Sequence, residues 1–259
     1  MSFPAVPAKH FSPEIISADT VLEDWEKRGL FEPTSWNIES AVLIYDRRLY
    51  RDLLKAHELK ALPFGAAGAY HELAASDGRL VLAGEFGVGA PAAAIVAESL
   101  IACGVREIIS LGTAGGLQPD LNPGEIVLVT GAVRDDGTSH HYIQSEIAVA
   151  PDQSLSDRLE LSLKQSLSKA GRVWTTDAPF RETIVELQTH RDAGVLAVEM
   201  EAAALMAVCE LRDVAFASCV CVSDLLTEEG WQALFSATQV RQALITMFDA
   251  AVETLMENK

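Results

Sequence analysis

Val198-Glu199-Met200-Glu201 places two carboxylates around a methionine in an apolar stretch that runs on through Ala202-Ala203-Ala204-Leu205. An acid in such surroundings is costly unless something binds it. A ligand with hydroxyl groups to hold would do so. Ser223-Asp224 ends a nearly unbroken apolar run over 215–222. A carboxyl there can be desolvated enough to stay protonated near neutral pH and act as a general acid. It can equally cap a following helix, which Asp does well. From the residues alone both readings stand.

Two glycine clusters accompany these acids. Gly87-Val88-Gly89-Ala90-Pro91-Ala92 fits the GxGxxA dinucleotide pattern, and Glu107 follows Gly87 by twenty residues, near the place of a ribose-binding acid. The strand before it reads as the second arm of a hairpin rather than the first strand of a βαβ unit. A loop lining a ligand site is therefore favoured over dinucleotide binding, with a tight turn as the plainer alternative. Gly112-Thr113-Ala114-Gly115-Gly116 can bring backbone amides and the Thr113 hydroxyl close to an anion, or simply turn the chain. The acids and histidines of Asp135-Asp136-Gly137-Thr138-Ser139-His140-His141 suggest a metal on paper, but their polar context favours a solvated turn. Glu228-Glu229 reads as an exposed helix start.

The rest of the composition narrows the partners. A net charge of −17 argues against nucleic acid, and an anionic substrate needs a local basic pocket against that field. No apolar stretch is long enough to span a membrane, and Met1-Ser2-Phe3-Pro4-Ala5 lacks signal-peptide features, so a cytoplasmic protein is expected. Cys103, Cys209, Cys219 and Cys221 show no zinc spacing and read as buried reduced thiols.

These residues need elements to hold them. A helix is expected from Ser12-Pro13-Glu14 to Gly29, a buried strand over 41–45, and an Asp46-capped helix to about 56. Segments 65–75 and 80–83 flank the hairpin signal Asp77-Gly78. A helix over 90–103, strands over 107–111 and 125–133, and a polar loop over 134–144 follow. Then come helix 154–170, strand 172–175, loop 176–179, helix 181–192, strand 196–198, helix 201–211, strand 215–222 and helix 237–257. Alternating strands and helices across 259 residues imply an α/β fold with a central parallel or mixed sheet. We expect an N-terminal arm and helix over 1–40 and one domain over 41–259. Ligands sit at the carboxyl ends of strands in such sheets, and Gly112–Gly116, 175–180, Glu199–Glu201 and Ser223-Asp224 all fall there.

Taken together, the motifs resemble the nucleoside phosphorylase and nucleosidase superfamily, from about residue 80 to the C-terminus and more loosely from 41. Val198-Glu199-Met200-Glu201-Ala202 resembles its ribose-binding signature, Gly112-Thr113-Ala114-Gly115-Gly116-Leu117 its phosphate- and base-side loop, and Gly87-Val88-Gly89-Ala90-Pro91 its glycine turn. Val133-Arg134, Asp136-Gly137, Ser139 and His141 look like a uridine phosphorylase loop, whereas Ser223-Asp224 is similar to the purine and nucleosidase branches. The chain departs from the family where Tyr45-Asp46-Arg47-Arg48-Leu49 replaces Gly-Asp-Pro-x-Arg, and where Ser110 stands in place of a phosphate-binding arginine. No arginine for a neighbouring site is evident around 65–71. Tyr50 or its neighbours stand near the place of the nucleosidases' catalytic glutamate.

The resemblance implies a three-layer α/β/α fold with a central mixed sheet, and cleavage of the N-glycosidic bond of a purine or pyrimidine nucleoside. Inorganic phosphate as co-substrate would give free base and ribose 1-phosphate; the alternatives are water as nucleophile, or a non-catalytic nucleoside-binding protein. It implies Asp224 as the acid for the base. Glu201, Met200 and Glu199 would hold ribose, joined by a neighbouring subunit's His10, so that a homo-oligomer, a dimer or trimer of dimers, is expected. Thr113, Arg47, Arg48 and Gly87 would hold phosphate. Phe180, Ala114, Gly115, Arg181 and Ser223 would face the base, with Phe180 as plain core its plainer reading. No metal and no further cofactor is implied.

Overall fold

The computed structural model describes residues 4–29, 36–63 and 68–257, with strands and helices alternating as the sequence predicts. Helix α1 (Ala18–Lys27) begins at a reciprocal Ser17–Thr20 capping box and ends before Gly29, whose φ is 67°. The capping box, rather than Ser12-Pro13-Glu14, sets the start. Strand β1 (Ser40–Ile44) is buried along its whole length, and Asp46 caps α2 (Arg47–Ala56) through the Leu49 amide at 2.6 Å. Strands β2 (Leu59–Ala61), β3 (Ala69–Leu73) and β4 (Leu80–Gly84) form an antiparallel edge. Asp77 and Gly78, both at positive φ, turn the chain between β3 and β4, as the hairpin signal predicts. Residues 65–67 of the predicted first arm lie outside the described residues.

Helix α3 (Ala90–Ala102) leads to β5 (Glu107–Gly116) and β6 (Ile126–Asp135). Gly112–Gly116, predicted as a loop, is therefore the second half of β5. Its glycines admit crowding from two strands: β9 in parallel along the segment, and β8 antiparallel at Gly115 and Gly116. A Cβ on Gly115 would lie 2.4 Å from Leu226 Cδ1. The polar loop over 134–144 is part strand and part the short helix α4 (Ser139–Tyr142). Helix α5 (Gln153–Leu163) stops short of the predicted residue 170, because β7 (Leu167–Thr176) takes the rest as a partner for β6.

Helix α6 (Ile184–Asp192) starts at a Thr183–Glu186 capping box. Strand β8 (Ala197–Glu199), helix α7 (Ala202–Arg212), strands β9 (Ala215–Thr227) and β10 (Gly230–Ala233), and helix α8 (Thr238–Met256) complete the chain. Ser223-Asp224 does not cap a helix: it lies inside β9, which turns back as β10 through Glu228-Glu229.

The sheet runs β10-β9-β6-β7-β8-β5-β1-β4-β3-β2, and β9 pairs with β5 as well. The expected mixed sheet between helical layers is present. Its far half also curls, closing β9, β6, β7, β8 and β5 into a small barrel, which the sequence pattern does not reveal. Alternation along β1 separates the two cores. Ala41 and Leu43 pack with α1, α3 and α7, while Val42 and Ile44 pack with α2, α5 and α8. No helix among the described residues is long and apolar enough to cross a membrane.

Candidate active site

The two acids of the opening motif are both buried, each 7% exposed, and they have different partners. Glu199 ends β8. Its Oε2 accepts from the Glu201 and Ala202 amides, both at 2.7 Å, and its Oε1 accepts from the Thr175 hydroxyl. Thr175 Oγ1 in turn accepts from the Ala203 amide at 3.0 Å. Glu199 and Thr175 thus satisfy amides at the N-terminus of α7 that the helix itself leaves unpaired. Burial pushes the Glu199 carboxyl above the usual carboxylate range, and those donors pull against it. Glu199→Ala is expected to lower unfolding free energy by about 2–4 kcal/mol, since buried donors lose their acceptor. Urea denaturation measures this; a loss below about 0.5 kcal/mol, the level of a neutral surface change, contradicts it.

Glu201 is the residue preceding α7, yet its side chain makes no cap to its own helix. It reaches across to the Gly89 amide at 2.5 Å. Gly89, at φ 96°, precedes α3, so Glu201 sits where two helix N-termini meet, a position that favours negative charge. Burial, and after it the charge of Glu199, pushes its carboxyl upward against the Gly89 and Met200 amides. Met200 lies alongside: a Cβ on Gly89 would be 3.9 Å from its Cε.

Tyr45 directly follows β1. Its ring lies over Gly112, where a Cβ would meet Cδ2 at 3.2 Å, and stands edge-on to Phe86 with ring centres 5.4 Å apart. Its hydroxyl is buried without a hydrogen-bond partner among the described residues. Ser110 lies alongside, and its own hydroxyl donates to Ser218 Oγ at 2.9 Å. Burial, then the charges of Glu201 and Glu199, holds the Tyr45 phenol well above its ordinary range, so it stays protonated. Tyr50 is placed elsewhere, with its hydroxyl on Ala69 O and His71 Nδ1, both at 2.8 Å, and its ring filling the space over Gly84.

Asp224 is 8% exposed. Its Oδ1 accepts from Ser223 Oγ at 2.6 Å and its Oδ2 from Trp231 Nε1 at 2.7 Å. Ala114 pairs with Val222 and Gly115 with Asp224, so Ser223 is a bulge residue in β9. Such bulges re-aim side chains. Gly115 joins the two acid clusters: a Cβ there would lie 3.1 Å from both Asp224 Oδ2 and Val198 Cγ1. Glu182 stands near Asp224; burial, and then the Asp224 charge, raises its carboxyl to about 7.

The structure thus groups Glu199, Met200, Glu201 and Gly89 at the start of α7, and Ala114, Gly115, Ser223 and Asp224 where β5 pairs with β9, with Val198 and Asp224 both close to Gly115. It does not bring in every predicted residue. Arg47 and Arg48 are exposed at the start of α2 and line a 480 Å³ cleft with Asp52, Thr238 and Arg241, because α2 packs on the α8 face of the sheet. Alternation along β5 puts Thr113 on the face of Leu111, which packs in that same α2 and α8 core, away from the face of Ala114. Gly87 is exposed at φ 95°.

Phe180 is fully exposed in the turn Pro179–Arg181, so the plain-core reading fails, and Arg181 is exposed beside it. His10 lies on its own chain, with Nε2 2.9 Å from His140 O. Arg134 binds the Ile143, Gln144 and Ile147 carbonyls, each at 2.7 Å, and so staples its own loop. The sequence places 175–180 at a ligand-facing strand end, but it does not single out Tyr45, Glu182 or Trp231 as site residues. The position of Tyr45 directly after β1, at a carboxyl end of the sheet, was the available signal for it.

A model of the phosphorylase superfamily matches residues 42–254. Among similar proteins, a guanosine phosphorylase of Halorubrum lacusprofundi is 33% identical over 140 residues, 53% of this chain and 58% of that protein. A uridine phosphorylase of Klebsiella aerogenes is 29% identical over 149 residues, 51% of this chain and 59% of that protein. A DeoD-type purine nucleoside phosphorylase of Exiguobacterium sibiricum is 26% identical over 207 residues, 78% of this chain and 85% of that protein. The chain thus spans less than two thirds of the length of the first two. The family match covers both acid clusters and the sheet that carries them, and by it the chain belongs to the phosphorylase superfamily.

Proposed function

We propose that this chain cleaves the N-glycosidic bond of a purine or pyrimidine nucleoside, with inorganic phosphate as co-substrate, giving free base and ribose 1-phosphate. One observation carries the reading: Glu201 is buried between two helix N-termini, bound by the Gly89 amide, with Asp224 across Gly115 from its segment. Glycosidic cleavage passes through a transition state with positive charge on the sugar. The carboxylate of Glu201 accepts hydrogen bonds from the ribose hydroxyls and faces that charge. Asp224 takes the base side, where negative charge collects as the C–N bond breaks. Phosphate attacks the anomeric carbon, forming the new C–O bond as the electron pair leaves with the base. The names of the relatives support phosphate in this role, and Ser223-Asp224 supports a purine.

A second reading uses water. Its support is the placement of Arg47 and Arg48 on the α8 face and of Ser110 in a bond to Ser218, which leaves backbone amides as the main holders of an anion. We further read the protein as cytoplasmic and, from His10, as a homo-oligomer. Base release from a nucleoside panel, measured over a phosphate titration, tests the nucleophile. The proposal expects a rate that rises with phosphate and saturates. Equal release without phosphate contradicts phosphorolysis and supports water. Binding without release of base supports a non-catalytic nucleoside-binding protein.

A further inference from the structure

We propose that Trp231 is a positioning residue for the base-side acid: the β9–β10 hairpin carries its indole N–H onto Asp224 Oδ2 and holds that carboxyl in the orientation from which it meets the leaving base. The inference rests on the base-side reading of Asp224 and adds to it the residue that aims the group. The contact is direct. Trp231 Nε1 donates to Oδ2 at 2.7 Å, while Ser223 Oγ donates to Oδ1 at 2.6 Å. Each carboxylate oxygen keeps a second lone pair, so these bonds orient the group and still leave it able to bind a substrate atom.

The register of the hairpin brings the indole to the acid. Trp231 pairs with Leu226, and Ala233 pairs with Asp224. Residues two apart on a strand share a face, so Trp231 and Asp224 are diagonal neighbours on one face of the hairpin. Directly across from Asp224 stand Gly115 on β5 and Ala233 on β10. Both are small, and neither side chain can donate a hydrogen bond to hold the carboxyl. A Cβ on Gly115 would lie 3.1 Å from both Asp224 Oδ2 and Val198 Cγ1. The oxygen held by the indole is therefore the one beside the strand that leads into Glu199–Glu201. Packing does not account for Trp231. It is 63% exposed, on an edge strand whose four residues are all exposed, and its ring neighbour Phe235 is itself 51% exposed. An indole left mostly in water contributes little by burial, so its anchored N–H is its main tie. Misplacing a catalytic group by about 1 Å can lower a rate about a hundredfold, which makes such a tie matter to turnover.

The test is a double-mutant cycle in kcat and KM on the ribonucleoside that the wild type cleaves fastest, with a thermal melt of each variant to check the fold. Trp231→Phe keeps an aromatic ring and removes the N–H. It is expected to lower kcat about tenfold or more while changing KM less than about threefold. In the Asp224→Asn background the same change is expected to lower kcat less than about threefold, because the group it aims is gone. Thr227→Val removes the 2.9 Å bond from Thr227 Oγ1 to Gly230 O, which loosens the hairpin without touching the indole. Its kcat is expected to stay within about threefold of the wild type. Unchanged kcat in Trp231→Phe overturns the inference. So does a loss by the same factor in both backgrounds, or an equal loss in Thr227→Val, since each assigns the effect to hairpin stability. Failure of the underlying reading looks different: an Asp224→Asn variant with full turnover, or a wild type that cleaves no nucleoside, removes the base-side role and the inference with it.

Discussion

Glu201→Gln is expected to lower kcat/KM for a ribonucleoside by about a hundredfold to ten-thousandfold while leaving the fold intact. Charge-assisted hydrogen bonds contribute about 1.5–3 kcal/mol each, and two hydroxyls bind this carboxylate in the proposed complex. Glutamine keeps the shape and one acceptor, which can still take the Gly89 amide now bonded to Glu201 at 2.5 Å. The variant loses the second acceptor and the negative charge that faces the sugar cation. A pH signature accompanies it. Burial and the Glu199 charge raise the Glu201 pKa, so nucleoside affinity rises with pH as that carboxyl ionises. The sign for stability is opposite: between the ordinary carboxylate pKa and the raised value the native state binds more protons than the unfolded one, so ligand-free stability falls as pH rises through that window. Glu201→Gln should flatten both trends. Steady-state kinetics and thermal melts across pH measure them, and unchanged affinity for ribose-bearing ligands contradicts the ribose assignment.

Asp224→Asn is expected to lower kcat by about a hundredfold or more, the scale of an acid–base group, with a smaller effect on KM. The substitution is nearly isosteric. One oxygen can still accept from Ser223 or from Trp231, but the amide nitrogen presents hydrogens where the carboxylate presented lone pairs to both. If Asp224 served only to tie β10 through Trp231, the variant would lower stability and leave the turnover of the folded enzyme unchanged. A KM-against-kcat split measured alongside a melt separates the two. Full turnover in a folded variant contradicts the base-side role.

The sequence made the local chemistry legible wherever one short segment held it. Val198–Glu201 marked a buried acid pair, and the alternation of apolar runs with helices marked the layered fold. Roles that depend on other segments were not visible. Glu199 and Glu201 look equivalent in the chain, yet Thr175, 24 residues earlier, fixes Glu199 as the acceptor at the start of α7. Gly112–Gly116 reads as a loop because glycine favours turns, but pairing with β8 and β9 makes it a strand. Arg47 and Arg48 follow β1 closely, and only the packing of α2 against α8 shows which face of the sheet they serve. Tyr45 carried no motif, and its orphan hydroxyl exists only in three dimensions.

The most direct test of the account is chromatographic detection of free base from a panel of purine and pyrimidine ribonucleosides, with and without inorganic phosphate, for the wild type beside Glu201→Gln. The account predicts that at least one nucleoside loses its base to the wild type, faster with phosphate, and that Glu201→Gln loses most of that rate. No release from any nucleoside under either condition, or equal release by both proteins, contradicts it.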